Sequence, residues 1–70
     1  MHYSILFEAV RDPDFPDGYF YAHIPALDLT THGEGIEGAK AAALDLITLW
    51  IEERRVRGEP VPVDGEFNRL

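Results

Sequence analysis

The hydrophobic period of this chain changes at Gly33-Glu34-Gly35, and that change limits the folds open to it. Behind it, Ile36, Ala39, Ala43, Leu46, Ile47 and Trp50 recur at three- and four-residue intervals. That spacing predicts one amphipathic helix from Ile36 to Arg57. Glu34 and Glu37 stand at the positive end of its dipole, and Arg54, Arg55 and Arg57 at the negative end. Gly58 is placed to follow the cap, with Pro60 just beyond. Gly38 costs about 1 kcal/mol against alanine inside a helix, so its presence in the first turn predicts close packing on a sheet. At about 1.5 Å per residue the helix is long enough to cross a small sheet diagonally.

Ahead of the switch the period is two. Between His2 and Arg11, Tyr3, Ile5, Phe7 and Ala9 alternate on one face, with Ser4 and Glu8 on the other beside Leu6 and Val10. Asp12-Pro13-Asp14-Phe15-Pro16-Asp17-Gly18 turns the chain. Tyr19 to Ile24 reads as a second, aromatic strand, ended by Pro25. A third, short strand is expected from Leu27 to His32, after which Gly33-Glu34-Gly35 breaks the extended run. Glu59-Pro60-Val61-Pro62-Val63 suits a short edge strand. The order β-β-β-α-β predicts an α+β fold, an antiparallel three- to four-stranded sheet with one long helix on one face. Residues 1–63 form the expected domain and 64–70 a tail.

With 70 residues there is room for one domain. A domain near 60 residues buries only about 60% of its unfolded surface, so association between chains is favoured. Thirteen acidic residues against six basic ones leave a net charge of −7. This argues against direct nucleic-acid binding, which relies on clustered Lys and Arg. Cysteine is absent, which excludes disulfides, zinc–thiolate sites and thiol nucleophiles. No signal peptide and no membrane span are legible, so the expected compartment is the cytoplasm.

Two layers leave one sheet face uncovered, and alternation puts Tyr19, Tyr21 and His23 on it. Leu6 and Val10 join them if the strands pair in register. Tyrosine combines contact area with a polar tip, which suits recognition. The candidate interface residues are therefore Tyr19, Tyr21 and His23, with Asp14 and Asp17 of the acidic loop. Leu44, Leu49 and Ile51 lie off the central helix stripe. That apolar surplus points to association of the chain with itself, most simply as a homodimer.

Four segments in order resemble the HicB-like family, the small antitoxin domains of bacterial toxin–antitoxin pairs. They are Met1-His2-Tyr3, Gly18 through Leu27, the turn Thr31-His32-Gly33-Glu34-Gly35 with Ile36-Glu37-Gly38-Ala39, and Gly58-Glu59-Pro60-Val61-Pro62. Where the family usually has Pro-Asp-Leu-Pro-Gly-Cys, this sequence has Pro25-Ala26-Leu27-Asp28-Leu29-Thr30. Gly33-Glu34-Gly35 replaces its usual Gly-Asp-Thr, and Glu37-Gly38-Ala39 its Glu-Glu-Ala. The helix-turn-helix or ribbon-helix-helix segment found in many such antitoxins is not legible, so autorepression is not carried over. The resemblance implies a core similar to a double-stranded-RNA-binding domain. It also implies a role in masking a small, basic, histidine-dependent HicA-like ribonuclease toxin. The acidity fits that role independently, because an acidic surface steers toward a basic partner.

Other chemistries fare worse. Counted as a calcium loop from Asp12, Pro16 falls at position five, Asp17 at six and His23 at twelve, so the EF-hand pattern fails. His2, His23 and His32 have no metal-ligand spacing. His23 has the chemistry of an acid or base if it meets a carboxylate across the sheet. Gly33-Glu34-Gly35 lacks the Lys and Ser/Thr of a phosphate loop, and Glu34 repels phosphate. No cofactor is expected. The leading expectation is a non-enzymatic antitoxin-like binding domain. Behind it stand an oligomeric module that has lost its toxin and, more weakly, a metal-dependent hydrolase.

Overall fold

The computed structural model describes residues 3–62. Strands β1 (Leu6–Ala9), β2 (Tyr19–Ile24) and β3 (Leu29–Glu34) form an antiparallel sheet in the order β1-β2-β3, followed by helix α1 (Gly35–Arg57). This is an α+β fold with one long helix on one face. Leu6 lies opposite His23 and Ala9 opposite Phe20, while Tyr19 lies opposite Glu34 and Ile24 opposite Leu29.

β1 is shorter than the alternation from His2 to Arg11 predicts. The β1–β2 register would carry Ser4 to Pro25, which has no N–H to offer, and there β2 gives way to a 3-10 turn, Pro25–Leu27. His2 lies outside the described residues. Asp28 ends that turn with φ +54°, and its N–H donates to the Pro25 carbonyl at 3.2 Å. This reversal moves the start of β3 from the expected Leu27 to Leu29. At its far end β3 continues through Gly33 and Glu34, because Gly33 is where the strand meets the helix. A β-carbon on Gly33 would lie 2.5 Å from the Gly38 carbonyl oxygen and 2.6 Å from the Ala39 nitrogen.

That contact brings α1 down onto β2 and β3. The buried core is Ala22 and Ile24 from β2, Leu27 from the turn, and Ala39, Ala43 and Ile47 from α1. Half of these are alanines, which bring the two backbones close at little side-chain cost. Tyr3, Ile5, Phe20, Leu29, Leu46, Trp50 and Ile51 pack around this cluster. Two helix residues depart from expectation. Ile36, placed on the buried stripe by its period, is exposed because it lies in the first turn. Ile51, placed off the stripe, packs against the core. Leu44 and Leu49 are exposed as expected.

Gly58 (φ +71°) closes α1, donating to Arg55 O at 3.1 Å, while Glu59 N–H donates to Arg54 O at 2.9 Å. These two bonds are the Schellman ending, which uses a left-handed glycine to satisfy the last carbonyls. The expected fourth strand does not form over 59–62. Glu59 is held in the helix cap, and Pro60 and Pro62 have no N–H, so Val61 alone is left to donate to a ladder. Val63 and the tail 64–70 lie outside the described residues. Tyr3 ties this exit to the start of the chain, its hydroxyl donating to Pro62 O at 2.6 Å.

Candidate protein-binding face

The face turned away from α1 carries every second residue of each strand. Register places Leu6 and Glu8 of β1 beside His23 and Tyr21 of β2, with Thr30, His32 and Glu34 of β3 beside His23, Tyr21 and Tyr19. Val10 extends the same register, its N–H donating to Tyr19 O at 2.9 Å. The expected grouping of Tyr19, Tyr21, His23, Leu6 and Val10 on one face is therefore what the structure shows.

Five contributors were not assigned to the interface from sequence: Glu8, Thr30, His32, Glu34 and Phe15. Phe15 sits in the loop between two prolines and folds onto the face. Its ring meets His32 edge-on at 5.2 Å between centroids, Tyr19 at 6.0 Å and Tyr21 at 6.1 Å. An aromatic stranded between Pro13 and Pro16 is the local signal for this, since a turn has no other reason to hold a large apolar ring. The loop is tightened by Asp12, whose Oδ1 accepts the Asp14 N–H at 2.9 Å and whose carbonyl accepts the Phe15 N–H at 3.0 Å. Asp14 and Asp17 thus flank Phe15 and are exposed. The loop's far end is anchored by Gly35, whose N–H donates to Gly18 O at 2.7 Å.

His23 bridges all three strands. Its Nε2 lies 2.9 Å from Glu8 Oε1 and its Nδ1 lies 3.0 Å from Thr30 Oγ1. A carboxylate only accepts, so Nε2 carries the hydrogen in that bond. Nδ1 then accepts from the Thr30 hydroxyl when the ring is neutral and donates to it when the ring is charged. Hydroxyl, imidazole and carboxylate in series form a proton-transfer path. Here it lies on an open face, with the His23 and Glu8 side chains 36% and 65% exposed. Water competes for every member, and the bond's clearest effect is to fix the ring beside Tyr21, 5.9 Å away between centroids.

Electrostatics give the face its sign. Its strand positions carry Glu8 and Glu34 and no Lys or Arg. The loop at its rim adds Asp12, Asp14 and Asp17 against Arg11. A concavity at the other end of the helix is lined by Trp50, Glu53, Arg54, Arg57 and Glu59, none of which belongs to this face. There Arg54 stacks over Trp50 at 4.3 Å, and Arg57 pairs with Glu53 at 2.6 Å. No helix among the described residues is long and apolar enough to cross a membrane. No protein-family model, no curated protein and no solved structure matches the chain.

Proposed function

We propose that the chain is a non-enzymatic, antitoxin-like binding domain whose open sheet face grips a small basic protein. The observation that carries this reading is the composition of one surface. Tyr19, Tyr21, Phe15 and His32 pack ring against ring there, in a setting of Glu8, Glu34, Asp14 and Asp17 with no cation among its strand residues. Aromatic rings supply contact area at low conformational cost and cation–π acceptors for Arg and Lys. Carboxylates around them steer a basic partner and reject nucleic acid. The four sequence segments resembling HicB-like antitoxins name the class of partner, a small basic ribonuclease of the HicA-like type. We further propose that the domain associates with itself and acts in the cytoplasm.

Co-expression tests this directly. The chain should restore growth to cells expressing a small toxin encoded beside it and should co-purify with that toxin. No neighbouring toxin, no rescue and no complex would overturn the reading.

A further inference from the structure

We propose that Glu8 and Tyr21 form a receiving site for one arginine side chain of the protein partner. This rests on the basic-partner reading above and names the residue type that the face selects. Register sets Glu8 of β1 directly opposite Tyr21 of β2. His32 lies opposite Tyr21 on the other flank. The Phe15 ring stands against both, 6.1 Å from Tyr21 and 5.2 Å from His32 between centroids. The β3 side of the Tyr21 ring is thus occupied, and its β1 side is bordered by a carboxylate. Tyr21 is half-buried there, and the Glu8 side chain is 65% exposed.

The carboxylate is already held in place. His23 Nε2 lies 2.9 Å from Glu8 Oε1, which fixes the group beside the ring and leaves Oε2 to accept further hydrogen bonds. Leu6, on the same face of β1, is 57% exposed and offers apolar surface to a long side-chain stem. A guanidinium suits such a place better than an ammonium. It is planar, stacks on an aromatic ring and delivers two parallel N–H groups to one carboxylate. The molecule holds one assembly of this kind within itself. Arg54 lies 4.3 Å over Trp50, with Nη1 3.8 Å from Glu59 Oε2. On the sheet face the ring and the carboxylate recur, and no strand position supplies the cation. The charge of the face selects a guanidinium brought by the partner.

Two blocked pentapeptides test this, Lys-Lys-Arg-Lys-Lys and its all-lysine counterpart, which carry equal charge and differ by one guanidinium. In low-salt titrations followed by amide NMR shifts, the arginine peptide should bind about 5-fold tighter, the gain from one stacked cation at an exposed site. The largest shifts should fall on Tyr21 and Glu8. Tyr21→Leu and Glu8→Gln should each abolish the preference, while Glu37→Gln, which removes the same charge from the helix, should keep it. Equal binding of the two peptides by the parent would overturn the arginine site and leave the basic-partner reading standing. Binding of neither would overturn both. A preference that survives in both variants would put the site elsewhere and overturn this one. Arg69→Gln should leave the Tyr21 and Glu8 signals of the peptide-free protein unchanged; a shift would show the site filled from within and overturn it too. Tyr21 and Glu8 lie outside the core cluster, and Glu8→Gln decides the matter even if Tyr21→Leu fails to fold.

Discussion

Gly33 of β3 and Gly38 of α1 meet backbone to backbone, and the seat of the helix on the sheet depends on that meeting. The two positions are not equivalent. A β-carbon on Gly33 would collide with the Gly38 carbonyl, whereas one on Gly38 would sit 3.5 Å from the Gly33 carbonyl carbon, an ordinary contact. Gly33→Ala should cost about 3 kcal/mol, the upper end for overpacking, because backbone atoms cannot rotate aside. Gly38→Ala should be neutral or stabilise by up to about 1 kcal/mol through helix propensity. Urea titration of both variants checks the asymmetry; equal losses would contradict it.

Trp50 packs against the core cluster with Arg54 stacked on its other side. It is half-buried rather than enclosed. Trp50→Ala should then cost about 2–3 kcal/mol, less than the 3–5 kcal/mol of a fully buried tryptophan. Ile24→Ala, at the largest fully buried side chain, should cost about 2–5 kcal/mol. Thermal melts followed by circular dichroism check both.

Asp28 holds a left-handed backbone at the end of the 3-10 turn. Glycine takes that conformation without steric cost and β-branched residues resist it. Asp28→Gly should stabilise by about 0.5 kcal/mol, and Asp28→Val should destabilise by about 1–2 kcal/mol. The ranking Gly above Asp above Val in denaturation midpoint is the expected result.

On the open face, Tyr21 stands at the centre, with Glu8 and His32 opposite it on the two flanking strands. Tyr21→Ala should weaken a basic protein partner by roughly 10- to 30-fold, the loss typical of an interface aromatic. Phe15→Ala should do the same by removing the ring that supports it. Replacing Asp14 and Asp17 by Asn should act differently, slowing association at low salt with little change in dissociation. Surface plasmon resonance across ionic strengths separates these effects.

Much of this architecture was legible because it follows from period. The alternation of Tyr19 to Ile24 and the three- and four-residue spacing from Ile36 onward give the sheet, the helix and the tyrosine face. What escaped depends on contacts between distant segments. Where β1 begins is decided by Pro25, in the turn that follows β2, and Gly33 reads as a breaker until Gly38 is seen against it. Ile36 fits the buried stripe by phase, yet its place in the first turn leaves it in solvent. At the candidate site, the bond from Glu8 to His23 requires knowing the register, and Phe15 reaches the face through a loop whose path no period encodes.

The basic last turn of α1 has one more consequence. Arg54, Arg55 and Arg57 gather at the helix terminus, while the sheet face and the loop beside it are predominantly acidic. At that terminus Glu53 and Glu59 pair with Arg57 and Arg54 and offset their charge, so of these two regions it is the acidic face that keeps uncompensated charge. A cationic protein diffusing nearby would feel a torque as well as a pull, so successive encounters would present the same side of the domain before any contact is made.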